Sequence, residues 1–113
     1  MSTKYTKPHY VFLKYFELIK DLKIDTDPAG VLLLSHIGAR EAQGFPMTVV
    51  EIMNMAEIAS PTTMHRRLGR LIAADLVEHS YGRRNYRTKY VVLTDKARKH
   101  FDRLGAAIQI AGK

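Results

Sequence analysis

The sequence predicts a mainly α fold with one small β-hairpin (α+β). Apolar residues recur at helical spacing in five segments, and Asp, Thr or Ser stands just ahead of four of them. Only between Leu76 and Thr94 does the pattern shorten to β-branched and aromatic runs. At 113 residues, one domain is expected over 1–113, long enough to bury a core. It divides into an N-terminal helical part (1–26), a central part (47–94) and a C-terminal helix (95–113).

The first helix is expected from about Pro8 to Lys23. There Val11, Phe12, Tyr15, Phe16, Leu18, Ile19 and Leu22 form a broad apolar stripe opposite Lys14, Glu17, Lys20 and Asp21. A stripe this aromatic serves either as intramolecular core or as a dimer seam. Asp27 then offers an acceptor to the free N–H groups of a second helix, and Pro28 suits its first position because it has no N–H to leave unpaired. Val31, Leu32, Leu34, Ile37 and Ala39 carry the buried side of that helix to about Gln43, and Gly44 is its stop. His36 lies among them and reads as a packed or hydrogen-bonded residue rather than a ligand.

Thr48 and Glu51 have the spacing of a capping box, so a short third helix starts there and ends near Ala56. "AEIAS" makes a tight turn. Ser60 caps a fourth helix with Pro61 in its first turn, running to about Ala74. "LVEHSY" and "KYVVLT", joined by "GRRNYRT", read as an antiparallel hairpin with a long basic tip. Thr94 and Asp95 open the last helix, with Ala97, Phe101, Leu104 and Ile108 on one side.

Charge is unevenly spread. The net charge is +7, yet Ile24–Pro61 carries five acids (Asp25, Asp27, Glu41, Glu51, Glu57) and one base, Arg40. From Thr62 to Lys89 there are seven bases (Arg66, Arg67, Arg70, Arg83, Arg84, Arg87, Lys89) against Asp75 and Glu78. Such concentration marks a polyanion-binding surface, nucleic acid first, against the alternative of a solvated basic face.

The stretch "SPTTMHRRLGRL" sharpens this. At about 100° per residue, Met64, Leu68, Leu71, Ile72 and Asp75 fall on one side of the fourth helix, and the first four can pack against the preceding helices. Thr62, Thr63, Arg66, Gly69, Arg70 and Ala73 fall opposite, with His65 and Arg67 at the flanks. Hydroxyls near a helix start, arginines further on and small residues between suit the B-DNA major groove, where an arginine fork matches guanine's two acceptors. Helix, turn, helix and basic hairpin together form a winged helix-turn-helix, with the wing along the adjacent backbone. The candidate DNA-contacting residues are Ser60, Thr62, Thr63, His65, Arg66, Arg67, Arg70, Arg83, Arg84, Arg87 and Lys89.

"MTVVEIMNMAEIASPTTMHRRLGRLIAADLVEHS" resembles the helix-turn-helix of MarR-type (multiple antibiotic resistance) regulators, and "RTKYVVLTDKARKHFDRL" is similar to that family's wing-exit strand and following helix. The run from Leu93 to Lys96 is the most specific part. The resemblance implies a dimeric transcription factor on double-stranded DNA, often a repressor released by a small-molecule effector. It places base reading at Thr62, Thr63, Arg66, His65 and Arg70, and wing contacts at Arg84 and Arg87. It implies a homodimer through the first helix and the C-terminal region, here Phe12, Tyr15, Phe16, Ile19, Phe101, Leu104 and Ile108. At Asp75 the sequence departs from the family, which frequently ends this helix with glycine.

Catalysis finds little support. The chain has no cysteine, no glycine-rich phosphate loop, and five scattered histidines without ligand spacing, so no metal or cofactor is expected. No apolar signal segment opens the chain, and "VLLL" is too short to span a bilayer. A cytoplasmic protein is therefore expected, with no membrane association. The rival to a DNA-binding regulator is a winged-helix interaction module that meets an acidic protein partner. RNA or replication-origin binding by the same surface is a third reading.

Overall fold

Asp27 Oδ1 accepts the Gly30 N–H at 2.8 Å, and α2 (Pro28–Ala42) starts there. Thr48 and Glu51 exchange the two hydrogen bonds of a capping box, both at 3.1 Å, to open α3 (Val49–Met53). Ser60 Oγ accepts the Thr63 N–H at 3.3 Å and opens α4 (Pro61–Ala73). Each of these three helices thus begins where a local side chain satisfies amides that the helix cannot. The structure, a computed structural model, describes residues 7–82 and 87–113. These group into two compact units, one of 25–97 and one of 7–24 with 98–113.

Within 25–97 the strands β1 (Met47–Thr48), β2 (Val77–Tyr81) and β3 (Lys89–Leu93) form an antiparallel sheet in the order β1-β3-β2. The hairpin register pairs Val77 with Leu93 and Tyr81 with Lys89, and β1 pairs Met47 with Val91. The sequence predicts the hairpin but not β1, which is too short to show alternation and pairs with a partner distant in the chain. Met47, Val77, Val91 and Leu93 are buried on one face. Helices α2, α3 and α4 pack there, supplying Leu33, Leu34, Ile37, Ile52, Met64, Leu68 and Leu71 to the core. A Cβ on Gly38 would meet Leu93 Cδ1 at 3.1 Å, so glycine lets α2 lie close on β3. One turn further along α2, Glu41 Oε1 accepts the Leu93 N–H at 2.8 Å.

Both long helices of this unit end in a left-handed residue. After α2, Gly44 has φ +90°, its N–H reaches Glu41 O at 3.0 Å, and the Phe45 N–H reaches Arg40 O at 3.1 Å. After α4, Asp75 has φ +60°, its N–H reaches Ile72 O at 3.0 Å, and the Leu76 N–H reaches Leu71 O at 2.9 Å. These are the paired hydrogen bonds of a left-handed helix cap, completed after α4 by the burial of both Leu71 and Leu76.

The other unit contains α1 (Pro8–Ile19) and most of α5 (Asp95–Ala111). No α1 residue is buried, and Phe12 is 62% exposed. In α5 beyond Arg98, Ala107 and Ala111 are the buried apolar residues, while Ile108 is 59% exposed and Phe101 and Leu104 are half-buried.

Several expectations shift. Helix α1 ends at Ile19 rather than Lys23, since Lys20 is already its cap and Asp21 would oppose the negative end of the helix dipole. Helix α3 ends at Met53 rather than Ala56, where Asn54 caps it and 55–59 form turns. Ile72 is 40% exposed, because it lies at the rim of the α4 stripe nearest His65 rather than under it. His36 is exposed, not packed.

Two predictions follow from these caps. Glycine adopts Asp75's backbone without the Cβ clash, so Asp75→Gly should stabilise the fold by about 1 kcal/mol in denaturant unfolding. Glu51's carboxyl is held below its ordinary value of 4.5, first by the Thr48 N–H, opposed by partial burial, and then by Arg40, whose Nη2 lies 3.0 Å from Oε2. A lowered folded-state value means that its contribution is present above 4.5 and lost as pH falls through the folded-state value. Glu51→Gln should therefore show a shallower loss of unfolding free energy than the wild type as pH is taken below 4.5.

Candidate nucleic-acid interface

The buried side of α4 is set by Met64, Leu68 and Leu71. That fixes the opposite side, where Thr62, Arg66, Gly69, Arg70 and Ala73 are all exposed. His65 is exposed at one flank, and Thr63 and Arg67 are half-buried at the other. No hydrogen bond or ion pair holds the side chains of Arg66, Arg67 or Arg70 among the described residues, and α4 contains no acid. An exposed helix face with two cations, a third at its flank and no counter-charge among the described residues is an electrostatic footprint for an anion.

The hydroxyls divide. Ser60 Oγ, besides capping the helix, lies 3.1 Å from Thr63 Oγ1, so these two groups are engaged with each other. Thr62, exposed and outside that pair, is the hydroxyl of the first turn available to a ligand. Beside it a cleft of about 570 Å³ is lined by Met53, Pro61, Thr62, His65 and Arg66. Met53 comes from α3, so the two helices of the helix-turn-helix form one concave surface. A Cβ built on Gly69 meets nothing within 4 Å, so nothing inside the protein requires glycine there.

In the wing, Arg87 and Lys89 are exposed at the start of β3. Arg83 and Arg84 lie outside the described residues. Sequence reasoning missed the end of α4, where Thr94 and Lys96, at the start of α5, bond to the carbonyls that immediately follow the helix. Lys96 Nζ donates to Ala74 O at 2.9 Å, and Thr94 Oγ1 donates to Asp75 O at 2.7 Å. The only sequence signal was the Leu93–Lys96 run, which says nothing about its partners.

Among the described residues, no group of three or more His, Asp or Glu is placed to hold a metal ion, and no helix is long and apolar enough to cross a membrane.

No protein-family model and no curated protein matches the chain. Solved structures do. The transcriptional regulator Tm0710 from Thermotoga maritima superposes with a TM-score of 0.61 at 16% identity, over 90% of this chain and 67% of that one. A mutant MepR from S. aureus, bound to an oligodeoxyribonucleotide, gives 0.60 at 19% identity over 90% and 70%. A mutant MarR from E. coli, complexed with operator DNA, gives 0.57 at 23% identity over 91% and 72%. The chain therefore has the winged-helix fold of MarR-type regulators.

Proposed function

We propose that this chain is a double-stranded DNA-binding transcriptional regulator, a homodimeric repressor acting in the cytoplasm. Helix α4 enters the major groove and the basic wing lies on the flanking backbone or minor groove. The observation that carries the reading is the exposed face of α4, with Arg66 and Arg70 on it and Arg67 at its flank, none of them paired among the described residues, and no acid in the helix. Two of the structures that share its fold hold DNA, in MepR and MarR.

The reading assigns each residue a role. Arg66 and Arg70 are the base-reading forks, with Thr62 and His65 beside them at the groove. Ser60 and Thr63 hold the helix start, whose free N–H groups and positive dipole end favour a phosphate. Arg67, Arg83, Arg84, Arg87 and Lys89 neutralise backbone charge. Phe12, Tyr15, Phe16 and Ile19, with Phe101, Leu104 and Ile108, supply the partner surface; Phe12, Phe16 and Ile108 are exposed apolar side chains that a second copy would cover. A small-molecule effector remains part of this reading on the strength of the sequence resemblance.

The test is to select bound duplex from sheared genomic DNA with purified protein at two salt concentrations. A palindromic motif enriched at the higher salt, with half-sites about one helical turn apart, supports a dimeric reader. Uniform, salt-labile retention of all duplexes leaves only a basic surface and favours the interaction-module reading.

On the selected site, Arg66→Ala should cost roughly 1–3 kcal/mol and relax preference at one base position. An equal loss on random duplex would make Arg66 a phosphate contact. Gly69→Ala should stabilise the protein by about 1 kcal/mol, because glycine is unfavourable inside a helix. It should at the same time weaken operator binding, because the added methyl group occupies the face that approaches the groove. Unchanged operator affinity would place that face away from DNA.

A further inference from the structure

The last turn of α4 is unusual in what holds it. Asp75 is a non-glycine residue in the left-handed region, a conformation that persists where neighbours over-determine it. Those neighbours are the residues that link β3 to α5. Thr94 is only 5% exposed, and its hydroxyl makes two bonds at once: it donates to Asp75 O at 2.7 Å and accepts the Ala97 N–H at 3.2 Å. Its backbone N–H donates to Leu76 O at 3.1 Å. Lys96 Nζ donates to Ala74 O at 2.9 Å, the carbonyl of the residue that caps α4.

Three successive carbonyls, of Ala74, Asp75 and Leu76, are thereby taken up by Thr94 and Lys96. A helix C-terminus carries partial negative charge and unpaired carbonyls, so an ammonium there makes a charge-assisted bond and favours the helical last turn. That turn includes Arg70, whose carbonyl accepts the Ala74 N–H at 3.0 Å. Of the two groove-facing arginines, fraying from Ala74 would therefore release Arg70 before Arg66.

We propose that Thr94 and Lys96 are positioning residues for the recognition helix. Resting on the function proposed above, they set the line along which α4 presents Arg66 and Arg70, without touching DNA. Their contribution is to sequence preference, because aim matters for a bidentate base contact and little for a diffuse phosphate contact.

The decisive variant is Lys96→Met. The Lys96 side chain is exposed, so the variant keeps the buried core intact. Binding is measured to the selected operator and to random duplex over a salt series, with thermal unfolding recorded alongside. The expected result is an operator affinity lower by about tenfold, the scale of one misaligned base contact, with random-duplex affinity and salt slope unchanged. Lys96→Arg, which keeps a cationic donor, should restore operator preference. Thr94→Val, which cannot donate to Asp75 O, should lose preference in the same way; if it does not fold, the Lys96 pair decides.

An equal loss on both duplexes with a slope lower by about one unit would make Lys96 a phosphate contact and overturn the proposal. A lower unfolding temperature with operator preference intact would overturn it too, leaving a purely stabilising role. In either case the wild type still prefers its operator, so the regulator reading stands. A wild type with no duplex preference would instead remove that reading, and this proposal with it.

Discussion

The end of α4 constrains what the rest of the unit can do, because the chain has no linker between that helix and the wing. Only Ala74, Asp75 and Leu76 separate the last helical residue from β2, and reversal in so short a span requires one left-handed residue. Asp75 supplies it, and the hydrogen bond from Leu76 back to Leu71 closes the turn over two leucines that are fully buried. The helix that presents the arginines and the strand that begins the wing therefore share one patch of core. Neither can tilt without opening that patch to water, and burial of a leucine side chain is worth about 1.5–3 kcal/mol.

Charge segregation follows from the same economy of partners. The acidic segment Ile24–Pro61 has one base, Arg40, and it pairs with Glu51 while its Nε donates to Phe45 O at 3.0 Å. Arg40 thus serves the end of α2 and the start of α3, both remote in sequence from α4. The arginines of α4 have no acid of their own helix to pair with, and no described neighbour provides one. Positive potential is left on a surface whose shape is already fixed by hydrophobic packing beneath it. Rigid support beneath cations without a described partner is the arrangement that the proposed DNA contact requires.

The helix starts were legible in the sequence because their signals are local. Asp27, the Thr48–Glu51 pair and Ser60 each satisfy an amide three residues away, a distance that sequence spacing displays directly. The exposed face of α4 was legible for a related reason: helical period alone separates Met64, Leu68 and Leu71 from Arg66 and Arg70. What escaped was non-local. Strand β1 exists because Met47 pairs with Val91, and no pattern in a two-residue segment announces it. Period placed Ile72 in the buried stripe, but the packed width of α4 is narrower than the stripe, and Ile72 falls at its rim. The same limit hid Lys96, whose partner carbonyl belongs to a residue 22 positions earlier. For the site, residue types on the helix could be read from sequence; which hydroxyls were already engaged, Ser60 with Thr63, could not.

The unit containing α1 shows the opposite balance, with apolar side chains and little burial. Phe12, Leu13, Phe16 and Leu18 of α1 and Ile108 and Ile110 of α5 are exposed large hydrophobics, whereas the buried apolar residues of that unit are alanines. Water contact with so many apolar side chains is unfavourable, and covering them with an identical surface removes the cost twice for one association step. For a DNA reader this has a direct consequence. One helix of thirteen residues contacts only a few base pairs, too few to single out a site among many competing sequences. Pairing two copies doubles the number of discriminating contacts and fixes their spacing. In the proposed dimeric reader, the exposed aromatic surface and helix α4 would therefore contribute jointly to specificity, one by pairing two copies and the other by contacting bases.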